Sequence, residues 1–152
     1  MIDIIYLLIF ICFIAPISLL FHELGHVVGA ILMKASFIRL TIGIGNELWQ
    51  GTFQHVQIII RRFFLINSLT STIREEPFER SEKIMITLMG PVFSGLLAAI
   101  FYVMYHLFFS TYILYIVFLF NIWLMIINLL PFKIGQKQSD GYTIYKLIVK
   151  HK

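Results

Sequence analysis

Residues 4–33, IIYLLIFICFIAPISLLFHELGHVVGAILM, contain one acidic side chain, Glu23, and no Lys or Arg. Two later runs, 84–109 and 111–132, contain no Asp, Glu, Lys or Arg. Each exceeds the roughly 20 residues that carry a helix across a bilayer. Backbone groups in lipid must be satisfied internally, so three spans can only be helices. The first run lacks a basic leader and a small-residue cleavage site, so it reads as a retained span rather than a signal peptide. Pro16 within it predicts a kink.

Composition closes off the alternatives. The chain of 152 residues is 59% apolar and 13% charged, against about 25% charged in soluble domains. Its mean hydropathy of +0.88 excludes disorder, which needs low hydrophobicity. The net charge of +4 fits basic loops beside a membrane. No basic stripe with aromatic platforms is visible, so no nucleic-acid partner is expected. Cys12 stands alone and permits no internal disulfide. One domain is expected over 1–152.

Lys and Arg set the orientation. Lys34, Arg39, Arg61, Arg62, Arg74, Arg80 and Lys83 lie between the first two spans. Lys133, Lys137, Lys146, Lys150 and Lys152 lie in the tail. The positive-inside rule puts both regions in the cytoplasm and the N-terminus outside, in a multi-pass protein of the cell membrane. Within the first region, 37–66 is rich in β-formers punctuated by Gly45-Asn46 and Gln50-Gly51. That predicts two to four short strands lying on or dipping into the membrane. Residues 67–83 are more polar and read as a linker leading to the second span. The expected fold is an α-helical integral membrane protein. It has three transmembrane helices, with a small membrane-associated β-hairpin or sheet between the first and second.

The first span holds His22-Glu23-Leu24-Gly25-His26, an H-E-x-x-H. On a helix, i and i+4 share a face, so both imidazoles can reach one metal ion. Glu23 then sits beside an activated water as general base. The pattern is short, but its setting sharpens it. An ionised acid in the middle of a span costs about 2.5–3.5 kcal/mol on insertion scales, and such residues are functional by default. The competing reading is a polar cluster gluing helices together. Two histidines and a water leave one ligand of a zinc site to be supplied. Asp140, after the third span and on the same side of the membrane, is the candidate. An Asp-Gly pair also forms ordinary turns.

With these residues in order, the chain resembles the site-2 protease family of intramembrane zinc metalloproteases, peptidase family M50. That family carries H-E-x-x-H in one membrane helix, matched by His22, Glu23 and His26. Further on it carries N-x-x-P and an Asp-Gly, matched by Asn128, Pro131 and Asp140-Gly141. A Gly-Pro near the inner start of the intervening helix is matched by Gly90-Pro91. The resemblance covers nearly all of the chain. It implies one Zn2+ per chain, held by His22, His26 and Asp140, with Glu23 as catalytic base and Asn128 contacting substrate. It also implies a membrane-anchored protein or peptide as substrate, with the active site open to the cytoplasm. One departure stands out. Asp140 follows Pro131 by nine residues, through FKIGQKQSD, where many members of the family have a shorter, proline-rich link and the usual residue before the Asp is leucine, here Ser139.

Other residues read more plainly. His106 and His55 suit packing or surface positions, and His151 suits a solvated tail. Gly25 and Gly29, Gly90 and Ser94, and Pro91 and Gly95 are small pairs spaced for close helix packing. Asn121 suits an interhelical hydrogen bond. An alternative function keeps the fold without catalysis, as a scaffold binding a membrane partner. The intact Glu23 argues against it. A membrane protein with no metal would make the H-E-x-x-H accidental.

Overall fold

The computed structural model describes residues 2–149, apart from the side chains of residues 2 and 64–67. His151 and the tail lysines Lys150 and Lys152 lie outside the described residues.

Helix α1 (Ile2–Ile9), a π-helical turn (Phe10–Ile14) and α2 (Ala15–Leu32) follow one another without a break. Together they give a 30-residue apolar helical stretch, Asp3–Leu32. Pro16 enters at the first turn of α2, and the amide of Ala15 reaches back to the carbonyl of Phe10. A proline ring clashes with the carbonyl four residues earlier and donates no hydrogen bond. The wider π turn just ahead absorbs that conflict.

Two more helices are long and apolar enough to cross a membrane, α3 (Arg80–Leu107) and α4 (Tyr112–Leu129). The start of α3 is fixed by a capping box, in which the amide of Glu79 donates to Glu82 Oε2 at 2.7 Å. Most of the large apolar side chains on these helices, Leu7, Leu96 and Trp123 among them, remain exposed. A membrane solvates such faces. Where the helices do meet, small residues do the work. Gly25 and Gly29 lie against Met89 and Ile86, and Gly95 lies against Met125. Asn121 Nδ2 donates across the bundle to Ser18 Oγ at 2.9 Å, and both residues are buried.

Between the first and second spans, β1 (Phe37–Phe53) and β2 (Val56–Ile73) form an antiparallel pair. The register is double: residues 38–42 have partners at 68–72 on one side and at 56–60 on the other. This is possible because β1 bends at Gly43 and Gly45, whose φ values of +92° and +91° suit glycine alone. Its second half then returns across Gln54 to pair with 56–61. Segments 47–53 and 68–73 are therefore the outer members of the sheet. β2 runs on to Ile73, so the linker expected from residue 67 starts later. Polar Ser68, Thr70 and Thr72 belong to a strand.

Ile38 and Leu40 pack with Val27, Ala30 and Ala35 into the buried core where the sheet meets α2. Burying each of those two side chains is worth about 1.5–3 kcal/mol. Arg74 ties the junction together. It donates to the Met33 carbonyl at 2.9 Å, forks onto both oxygens of Glu82 at 2.8 and 2.6 Å, and lies over the Phe78 ring.

After α4 comes a small hairpin, β3 (Lys133–Ile134) and β4 (Lys137–Gln138), then α5 (Asp140–Val149). The helix α5 begins at Asp140 itself. Arg80 Nη2 donates to the Ile148 carbonyl at 3.0 Å, holding α5 against the start of α3.

Candidate metal centre

Helix α2 presents His22 and His26 one turn apart, with ring centroids 5.0 Å from each other. Helix α5 brings Asp140 to both. His22 Nε2 lies 3.0 Å from Asp140 Oδ2, and His26 Nε2 lies 3.5 Å from Oδ1. One potential ligand atom from each of the three lies within 4.8 Å of the others. All three side chains are less than a fifth exposed.

The far side of each imidazole is also held. His22 Nδ1 lies 2.9 Å from Ser94 Oγ, and His26 Nδ1 lies 3.0 Å from the carbonyl of Ile86. A carbonyl only accepts, so His26 Nδ1 carries the hydrogen. In the neutral ring this leaves the Nε2 lone pair aimed at a carboxylate oxygen. Two acceptors face each other there, which a cation between them relieves. The donor set, two imidazoles and one carboxylate with oriented outer partners, fits zinc.

Gly90 makes room for this arrangement. A Cβ at that position would run into the His26 ring and lie 2.9 Å from His22 Nε2. Gly141 does the same at the other wall, where a Cβ would collide with the carbonyl of Leu129. The glycines thus set how closely α3 approaches α2 and how closely α5 approaches α4.

Ser139 explains how the longer link leaves Asp140 in place. Its hydroxyl donates to the Leu130 carbonyl at 2.6 Å. It also accepts from the amides of Phe132 and Tyr142, at 3.1 and 3.0 Å. One buried hydroxyl therefore closes the neck of the hairpin and caps the first turn of α5. The extra residues loop out beyond that neck. Burial pushes the Asp140 carboxyl up, and only if the two imidazoles are protonated do their N–H groups and charge hold it below its usual value.

A cleft of about 680 Å³ opens onto the three residues. Glu23, Ser68, Thr70, Asn128 and Gln138 share its walls. Glu23 is held from the sheet, because Thr70 Oγ1 donates to its Oε2 at 2.7 Å. Asn128 Nδ2 is turned to its own helix, donating to the Leu124 carbonyl at 2.9 Å. His106 lies elsewhere, against the rings of Tyr102 and Tyr105, and His55 is exposed at the β1–β2 turn.

Sequence reasoning brought forward His22, Glu23, His26, Asn128 and Asp140, and the fold gathers all five around this cleft. It took Ser94 only as a packing residue and missed Thr70, Ser139 and the Ile86 carbonyl. For Thr70 a clue was present in the alternation of Ser68, Thr70 and Thr72, a period of two.

A family model, Peptidase family M50, matches residues 9–114. The match takes in His22, Glu23 and His26 on α2 and Gly90 and Ser94 on α3. It ends before Asn128 and Asp140. No curated protein matches the chain. Matched over more than two thirds of its length and carrying the two-histidine, one-aspartate cluster, the chain belongs to peptidase family M50.

Proposed function

We propose that this protein is an intramembrane zinc metalloprotease that hydrolyses peptide bonds of membrane-anchored substrates. Residues 1–152 act as one catalytic core. The observation that carries this reading is the meeting of His22, His26 and Asp140 at the end of a cleft that also holds Glu23. His22, His26 and Asp140 would hold one zinc ion. Zinc, when bound, supplies Lewis acidity and lowers the pKa of water towards 7.

Glu23 takes the proton as the water oxygen bonds to the scissile carbonyl carbon, and delivers it to the leaving amine as the C–N bond breaks. Thr70 keeps the Glu23 carboxylate turned to the cleft. Asn128 contacts substrate backbone or the developing oxyanion. Basic residues between the first two spans and in the tail favour a cytoplasmic opening for the cleft, with the N-terminus outside.

A helical substrate must be locally extended before its peptide bonds are exposed. Segment 68–72 has strand partners on one side only among the described residues. It also lines the cleft through Ser68, Leu69, Thr70 and Thr72. This is the edge to which an extended substrate would add as a further strand.

The test uses protein reconstituted in liposomes with a fluorescent synthetic single-span peptide, helix-broken near its cytoplasmic end. Wild type should cut it, and Glu23→Gln should bind zinc yet leave it whole. Equal cutting by both would overturn Glu23 as the catalytic base, and cutting by neither while both bind the peptide would favour a scaffold.

A further inference from the structure

A second hollow, of about 420 Å³, lies on the sheet away from the metal ligands. Arg39, Arg61, Gln50, Gln57 and Ser71 line it. Its placement follows from strand periodicity. Arg39 and Thr41 alternate along β1 with Ile38 and Leu40, which face the core, so the polar face of the sheet is left for another partner.

The arginines there are unevenly satisfied. Arg39 Nε donates to Gln57 Oε1 at 2.7 Å. Arg61 reaches Glu47 only through Nη2, at a long 3.4 Å. Its Nε is buried and has no hydrogen-bond partner among the described residues. A buried donor of this kind calls for an acceptor. The Arg61 side chain as a whole is over a third exposed, and a guanidinium that turns to present Nε and Nη together matches two oxygens of one phosphate.

The surroundings say where that phosphate comes from. Leu48, Trp49 and Phe53, on the outer segment of β1, are all more than half exposed. Trp beside exposed aliphatic and aromatic side chains is typical of the membrane–water interface. We propose that this hollow binds the phosphate of an anionic phospholipid headgroup, with Arg61 and Arg39 as its donors and the Leu48–Phe53 segment inserted beside it. Glu47 competes with the phosphate for Arg61. The site is independent of the proteolytic reading.

The test is native mass spectrometry of the full-length protein released from micelles doped equally with phosphatidylglycerol and phosphatidylcholine. Wild type should retain one phosphatidylglycerol in preference. Arg61→Gln and Arg39→Gln should each lower the preference about fivefold, the usual worth of one basic residue at an anionic surface. Arg61→Lys, which keeps charge but loses the fork, should fall between. Glu47→Gln should raise the preference. Arg62→Gln removes the same charge from an exposed neighbour outside the hollow, and should leave the preference nearly intact. Equal retention of the two lipids by wild type would overturn the proposal, as would an equal effect of Arg62→Gln and Arg61→Gln. So would displacement of the lipid by millimolar inorganic phosphate without lipid preference, which would assign the hollow to free phosphate.

Discussion

Ser94 Oγ sits 2.9 Å from Nδ1 of His22, across the interface of α3 and α2, and both residues are buried. The serine fixes the rotation of the imidazole and directs Nε2 towards Asp140. Small size alone would let the helices pack. The hydroxyl adds an orienting contact for the ring.

Ser94→Ala keeps the close packing and removes only that contact. Loss of such outer partners costs roughly 10–100-fold in metal affinity. Zinc competition against a chromophoric chelator should show a fall of that order, with an unchanged thermal midpoint for the metal-free protein. An affinity equal to wild type would show that the ring is held by packing alone.

Gly90→Ala separates helix propensity from the site. Alanine favours a helix interior by about 1 kcal/mol over glycine. Its methyl group here would strike both histidine rings. The variant should remain helical by circular dichroism and lose its zinc. Retention of full zinc would mean that α3 can shift away from α2 at little cost.

Ser139→Ala opens the neck of the β3–β4 hairpin and removes the cap of α5. Loss of such a cap costs about 1 kcal/mol. Asp140 is the next residue, so zinc affinity should drop as well. Shortening the hairpin itself while keeping Ser139 should leave zinc affinity near wild type. If the shortened variant loses zinc instead, the hairpin and not Ser139 positions Asp140.

Thr70→Val removes the donor to Glu23 and nearly preserves shape. The turnover number should fall, by less than the roughly 10²–10⁴-fold that a positioned acid–base group itself contributes, while zinc content and KM hold. Thr70→Ser should recover most of the rate. A change in KM with an unaltered turnover number would assign Thr70 to substrate binding alone.

Proline placed singly at Ser68 and Leu69 tests the strand edge, since neighbouring residues direct their amides to opposite sides. One of the two should cut cleavage sharply with zinc retained, and the other should disturb pairing with 37–42 and lower stability. Unchanged cleavage in both would rule out strand addition at this edge.

The parts of this arrangement that were legible in the sequence are those written locally. His22 and His26 announce themselves because a helix puts i and i+4 on one face. The three membrane-length helices follow from apolar runs of which only the first holds a charged residue, Glu23. Asp140 needed the order of motifs along the whole chain, because it meets His22 across 118 positions. Ser94 depends on which turn of α3 comes to face α2, which spacing along the chain does not encode, and the alternation around Thr70 marks a strand face without saying what that face meets. The strand over 68–73 was hidden by its polarity. Its Ser and Thr side chains line the cleft, so the run lacks the apolar face that usually marks a strand.

The central claim is that His22, His26 and Asp140 form one zinc site, and elemental analysis of detergent-purified protein tests it most directly. Wild type should carry close to one zinc per chain, with loss in both His22→Ala and Asp140→Asn. Zinc retained at full affinity in Asp140→Asn would contradict the three-residue site. A folded wild type that takes up no zinc would contradict the account as a whole.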